Sequence, residues 1–302
     1  MQVNVLTVAL LLLSGYAQAQ LLDTEAYDEA EVVDPYQEWA DSVAQTLTFY
    51  ADTTLTIGDG LADLAIPPGY TFVYPDDAYT VLVDLWGNMP EMGDASLGML
   101  FPAQYGPANP AGYGINISYT EEGYVSDDDA ADYDYDELLE QLQEDTEAGN
   151  AYREEQGYQA MHLLGWAATP HYDQTNKRLH WAKRLQFEGM PVETLNYNIL
   201  FLGRRGYLTF NVIGGMQDLP EVDAKLDDML ASLTYTTGNR YADFDASTDN
   251  IAAYGIAALI GAKVLAKTGL LATIGIFLLK AWKLIAIAVV AAGAGLKKFL
   301  GR

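Results

Sequence analysis

The chain has 302 residues, 50% of them apolar, no cysteine, and a formal net charge of −26. That length accommodates one sizeable domain with extensions, and the missing cysteine rules out disulfides, thiolate nucleophiles and cysteine metal sites. The charge rules out nucleic acid as a partner, because phosphate binding needs a cationic surface.

In chain order, residues 1–19 hold an apolar run, Val3 to Leu13, followed by Ala17-Gln18-Ala19. A short oily core ending in A-x-A has the form of a secretory signal peptide cut before Gln20; an uncleaved anchor is the alternative. Residues 20–50 are an acidic segment and then a helix. Asp34 caps it, Pro35 sits first, Gln37 takes the capping-box position, and Trp39, Val43 and Leu47 make one apolar stripe.

Residues 51–240 read as the main domain. Thr53 to Ile57 and Leu61 to Ile66 flank Gly58-Asp59-Gly60 as a hairpin, and Pro67-Pro68-Gly69 turns the chain into Tyr70 to Val73. Pro75-Asp76 opens a short helix through Leu85, stopped by Gly87-Asn88 and Pro90. Leu97 to Phe101 and Gly112 to Tyr119 are further strands. Asp132 to Gly149 is an amphipathic helix with Leu138, Leu139 and Leu142 on its apolar side, and the acids at its amino end suit the helix dipole.

His162 to Gly215 reads as four successive strands. Leu163 to Trp166 runs into a turn at Pro170, and Leu179 to Phe187 returns. Thr194 to Leu202 and Tyr207 to Ile213 flank the tight turn Gly203-Arg204-Arg205-Gly206, whose glycines supply the backbone angles a hairpin needs. Asp218-Leu219-Pro220-Glu221 caps a helix with Val222, Leu226, Met229 and Leu230 facing inward, and Leu233 to Thr236 is a last strand. Residues 241–250 are a linker. Hairpins with helices inserted at intervals predict an α+β domain, an antiparallel sheet covered by helices on one face.

Several blocks of this stretch are distinctive: GWAATPHYD (165–173), LHWA (179–182), LNYN (195–198) and LGRRG (202–206), with GYVSDDDA (123–130) upstream and RYADF (240–244) and AAYGIAALI (252–260) downstream. In this order they resemble a family of bacterial membrane-anchored proteins catalogued as a domain of unknown function, over roughly residues 50–300. The resemblance implies a membrane-anchored protein and no particular reaction. The order of hairpins, late helix and short strand is also similar to the photosystem-extrinsic PsbP-like fold, a likeness of pattern that transmits no function.

Charge divides the chain. No Lys or Arg precedes Arg153, whereas the segment after Asn250 has no Asp or Glu and holds seven basic residues. Asp249-Asn250 reads as the cap of an apolar region, Ile251 to Leu300, within an expected membrane anchor at 251–302. Its uncharged pieces, 268–279 and 284–296, reach only ~18–20 Å as helix at ~1.5 Å per residue, against a hydrocarbon core of about 30 Å. Snorkelling extends Lys263 to Lys283, with Lys267 and Lys280 near its ends, into a span. A second helix carrying Lys297 and Lys298 then crosses back or lies at the interface. For a single crossing, the lysines from Lys280 onward fall on the cytoplasmic side.

The candidate chemistry is sparse. His162, His171 and His180 are the only histidines, nine residues apart, with Asp173 as a possible fourth zinc ligand; ordinary structural roles are the competing account. Asp173 suits a hydrogen-bonded turn after Pro170, in the block Pro170-His171-Tyr172-Asp173. Asp127, Asp128 and Asp129 with Asp132, Asp134 and Asp136 invite a divalent cation, but an EF-hand fails because Glu137 and Gln143 stand where Gly and Glu are needed. A turn and helix start is the competing account. Arg204 and Arg205, at a hairpin tip in so acidic a chain, suit pairing with its own acids, or with a partner carboxylate or lipid phosphate. There is no GxSxG, no P-loop and no GxGxxG opening a helix, and the acids are too numerous for one pair to stand out as general acid and base.

These features predict an exported α+β domain held at the bacterial cytoplasmic (inner) membrane and facing the periplasm, with no cofactor. The expected partners are the lipid bilayer and an envelope protein, with no defined small molecule. A non-enzymatic binding or scaffolding module leads. A metal-assisted envelope enzyme using His171 and Asp173, and a cation- or lipid-responsive sensor, compete with it.

Overall fold

The structure, a computed structural model, describes residues 35–260 apart from 89, 110, 111, 131–133 and 156. The expected signal peptide at 1–19, the acidic stretch before Pro35, Asp132, and the membrane segment past Ile260 with all six of its named lysines lie outside the described residues. Among the described residues no helix is long and apolar enough to cross a membrane. The chain divides into two compact units, Met1–Trp39 and Ala40–Arg302. In the first, Tyr36 and Trp39 on the opening turn of α1 (Pro35–Ala44) bring their rings to 5.4 Å.

The second unit is built on antiparallel pairing. Its large sheet holds seven strands in the order β3 (Tyr70–Val73), β4 (Ser96–Pro102), β5 (Gly114–Thr120), β9 (Tyr207–Gly215), β8 (Thr194–Leu202), β7 (Arg178–Phe187) and β6 (Met161–Asp173). A second sheet places β2 (Ala62–Ala65) between β1 (Thr54–Ile57) and β10 (Leu233–Tyr235). The predicted β1–β2 hairpin is present, but its partner comes from the far end of the domain, a pairing that local pattern does not announce.

Three apolar clusters hold these layers. On one face of the large sheet, Leu100, Ile115, Val212, Tyr197 and Ala182 lie on successive strands and pack with Val222 and Met229 of α5 (Leu219–Ser232) and with the small sheet. On the opposite face, α4 (Tyr135–Glu155) sets Leu138 and Leu142 against Leu163, Leu179, Trp181 and Leu200. At the other end of that face, α2 (Pro75–Tyr79) and the π-helical turn Thr80–Leu85 bury Ala78, Val81 and Leu82 against Val73, Met99 and Phe101. The α+β class is as expected, but helices cover both faces. Alternation makes this possible, since β7 and β8 carry apolar residues at odd and even positions alike.

Two local expectations change. Pro170 does not turn the chain: β6 continues through it to Asp173. It sits on the edge strand, where the register shifts between Ala168 and His171, and an edge is where a sheet tolerates a residue without an N–H. Pro90 ends nothing and instead opens α3 (Pro90–Asp94), because proline suits the first turn of a helix.

Candidate functional site

The reversal after β6 is made by Asp173. Its Oδ1 accepts the Thr175 and Asn176 amides at 2.9 and 3.1 Å, and its Oδ2 accepts Asn176 Nδ2 at 2.6 Å. These bonds hold the carboxyl below its usual range. Lys177 takes a left-handed conformation, φ 57°, as the chain turns back. Its ammonium meets Asp127.

Asp127 is the centre of a cluster drawn from three distant segments. Its Oδ2 accepts Lys177 Nζ at 2.5 Å and the Tyr172 hydroxyl at 2.8 Å, and its Oδ1 lies 3.0 Å from the Tyr241 hydroxyl, whose one proton it shares with the Val125 carbonyl at 2.9 Å. Burial pushes the Asp127 carboxyl up, but these donors outweigh it and the net displacement is downward. Burial and the adjacent carboxylate push the Tyr172 and Tyr241 hydroxyls far up, so both stay protonated donors. The Lys177 ammonium also lies 4.9 Å from the centre of the Tyr241 ring.

A second junction lies beside it. Arg204 holds Asp249 through two parallel bonds, Nε to Oδ2 at 2.6 Å and Nη2 to Oδ1 at 3.0 Å, and Nη1 donates to the Gly238 carbonyl at 3.1 Å. The Asp249 side chain is 4% exposed, and the Arg204 guanidinium pulls its carboxyl from 3.8 to about 2. Asp249 therefore serves Arg204, while the helix it was expected to cap, α6 (Ile256–Ile260), starts later. Arg205 is half exposed, 3.9 Å from Asp249, and lines a cavity of about 570 Å³ with Glu121, Glu122 and Asn250.

Both junctions fasten the stretch from Tyr241 to Ile256 to the rest of the domain. Tyr124 and Ile251 form a parallel bridge, with Tyr124 N donating to Asn250 O and Ala252 N donating to Tyr124 O, each at 2.9 Å. The Tyr124 ring stacks on Phe244 at 4.0 Å and tilts against Tyr241 at 4.4 Å. Asp129 Oδ1 accepts the Ile256 amide at 3.1 Å, and Ile256 and Ile260 are buried with Val125 and Leu142. Two glycines permit the approach. A Cβ on Gly123, whose φ is 93°, would lie 2.8 Å from Asn250 O, and one on Gly255 would lie 2.1 Å from Asp129 Oδ2.

The histidines do not gather. His162 pairs with Glu147 at 2.6 Å near α4. His171, exposed, sits across the strands from His180 with ring centres 5.3 Å apart, and His180 Nδ1 is 3.0 Å from the Tyr197 hydroxyl. Burial, with His171 beside it, pushes the His180 imidazole down. Alternation along β6 puts His171 and Tyr172 on opposite faces, so Asp127 and His171 are not brought to one site. Among the described residues no group of three His, Cys, Asp or Glu is arranged to hold a metal ion.

Lys177 and Tyr241 are not singled out by the sequence, whereas Arg204 is, and its expected pairing with an acid of the chain is the one with Asp249. Tyr241 lies within RYADF and Lys177 just past PHYD, so the blocks themselves were the signal.

Two solved structures are similar in part. Cyanobacterial PsbP (CyanoP) from Synechocystis matches with 13% identity and a TM-score of 0.34, over 63% of this chain and 92% of that one. The Ran-binding protein Mog1p of Saccharomyces cerevisiae matches with 9% identity and a TM-score of 0.34, over 66% of this chain and 100% of that one. No curated protein matches the chain. A family profile does, across residues 49–292, and the chain belongs to that family, described as "Protein of unknown function (DUF2167)".

Proposed function

We propose that this protein is a non-enzymatic binding or scaffolding module of the bacterial envelope, held at the cytoplasmic membrane by its carboxyl-terminal segment with the sheet domain in the periplasm. One observation carries the reading. Residues of the family blocks bond to one another, to Asp249, and through the Tyr124 backbone and the Asp129 carboxylate to the backbone of Asn250, Ala252 and Ile256, the stretch that leads into the apolar, basic tail. A catalytic set has to leave a reactive group open to substrate. Here Asp127 receives three donors and both oxygens of Asp173 are taken by a turn, which leaves the metal-assisted alternative without its carboxylate.

Location is supported by the two ends of the sequence. The apolar run closing in Ala17-Gln18-Ala19 suits export, and a tail free of acids with seven basic residues suits an anionic membrane surface. Alkaline carbonate extraction of membranes tests attachment. The full chain stays with the pellet and a version lacking 251–302 is released; a full chain that washes off defeats the proposal. Protease added to spheroplasts tests orientation, since a periplasmic domain is degraded before lysis and a cytoplasmic one only after it.

A further inference from the structure

The face of the large sheet that carries α4 changes character in its middle. Along one row of directly opposed residues, Met99 and Trp181 belong to the two apolar clusters, and between them stand Asn116, Asn211 and Asn198. One pleat along β7, Lys183 is opposed by Asn196. Opposed residues on antiparallel strands share a face, so these groups form one polar strip between two oily ends. The middle of a sheet packed purely for stability would carry Val, Ile or Phe there, as the other face does.

The hydrogen bonds of the strip have a direction. Asn211 Nδ2 donates to Asn198 Oδ1, and Asn198 Nδ2 donates to Asn196 Oδ1, each at 2.9 Å. The Asn198 and Asn196 oxygens thus each accept from a neighbouring amide, and the run ends on the Asn196 NH₂, opposite Lys183 in the register. The Asn196 oxygen already accepts one bond, and among the described residues its NH₂ donates none, so donor capacity is what this end of the run has to spare.

Two further groups there are donors too. Among the described residues, Trp181 Nε1 is the one buried side-chain nitrogen or oxygen without a hydrogen-bond partner, on a residue 4% exposed. Among the described residues Lys183 makes no ion pair; Arg153, Arg178 and Arg240 make none either, but each donates a hydrogen bond or lies over an aromatic ring, which Lys183 does not. Burial alone pushes its ammonium below the usual lysine range. A desolvated ammonium and a buried indole N–H left unpaired are each costly, and such costs persist where a ligand supplies the missing partner.

We propose that Lys183, the Asn196 amide and the Trp181 indole form a binding site for an oxyanion group, a carboxylate or a phosphate, carried by a small polar ligand. The site gives the binding reading above its ligand chemistry and rests on it only in treating the strip as a place to hold a molecule. It reports binding without reference to membrane attachment, so the two proposals fail separately.

The test uses the full chain in neutral detergent with its tryptophan indoles labelled with ¹⁵N, the Trp181 resonance being assigned with Trp181→Phe. Sodium succinate and inorganic phosphate are titrated separately, with sodium chloride at matched ionic strength as the control. At least one of them moves the Trp181 signal saturably, and which one does so identifies the carboxylate or phosphate source. Lys183→Met weakens that binding at least tenfold, and Asn196→Asp, which sets a negative charge against the ligand, abolishes it. Without ligand, Lys183→Met melts at a higher temperature than the wild type, because it removes a half-buried charge without a counterion. No saturable shift with either anion, unchanged affinity in Lys183→Met, or a lower melting temperature in that variant overturns the proposal.

Discussion

Arg204 and Asp249, 45 residues apart, meet in a two-point grip at 2.6 and 3.0 Å that ties the β8–β9 hairpin tip to the last turn before residue 250. Planar, parallel donation of this kind is what arginine supplies and lysine does not. Arg204→Ala is therefore expected to lower the melting temperature much more than Arg205→Ala, since Arg205 is half exposed and only 3.9 Å from the same acid. Arg204→Lys recovers only part of the loss. Equal effects of the two alanine variants would show that the grip is incidental.

The same pair sets an acid limit. The Asp249 carboxyl is displaced from 3.8 to about 2 in the folded chain, and Asp127 is displaced in the same direction. A folded value below the unfolded one means the stabilisation is present above 3.8 and is lost as pH falls toward about 2. Thermal melts across that window should drop steeply in the wild type. In Asp249→Asn the drop should be shallower from a lower starting point, and an identical profile would contradict the assignment.

Asp127 is expected to behave as a shared acceptor. Removing one hydroxyl, in Tyr172→Phe or Tyr241→Phe, leaves two other donors on the carboxylate and costs about 1 kcal/mol. Asp127→Ala strands the Lys177 ammonium and the Tyr172 hydroxyl together, while the Tyr241 hydroxyl keeps the Val125 carbonyl at 2.9 Å, and it costs more than either phenylalanine change, on the order of 3 kcal/mol. Because the partners share one acceptor, the two phenylalanine changes should be non-additive in a double-mutant cycle measured by urea unfolding. Strict additivity would argue against a common centre.

Much of this fold was legible in the sequence, for identifiable reasons. The β8–β9 hairpin announces itself through β-branched and aromatic content on either side of Gly203 and Gly206, and α5 through Pro220 and an apolar stripe ending in Leu230, although the Asp218 side chain accepts the Gly215 amide and does not cap that helix. Pro170 misled because the same residue breaks an inner strand and is tolerated on an edge, and edge position is a property of the whole sheet. The second helical layer was hidden because Leu163, Leu179 and Leu200 look like ordinary strand residues until α4 is placed on them. The site was legible only as separate blocks. Nothing in the spacing of Asp127, Lys177 and Tyr241 says that they meet, because loop and hairpin lengths decide it.

Hydrogen exchange at the Ala252 and Ile256 amides tests the central claim most directly, namely that the family blocks fasten the stretch from Tyr241 to Ile256 to the rest of the domain. Both amides are bonded in the structure, to Tyr124 O at 2.9 Å and to Asp129 Oδ1 at 3.1 Å. The account expects protection comparable to that of amides in β8 and β9, and loss of protection at both positions in Gly123→Ala, where the added methyl meets Asn250 O at 2.8 Å. Exchange of these two amides at the rate of an open chain in the wild type, with β8 and β9 still protected, would contradict it.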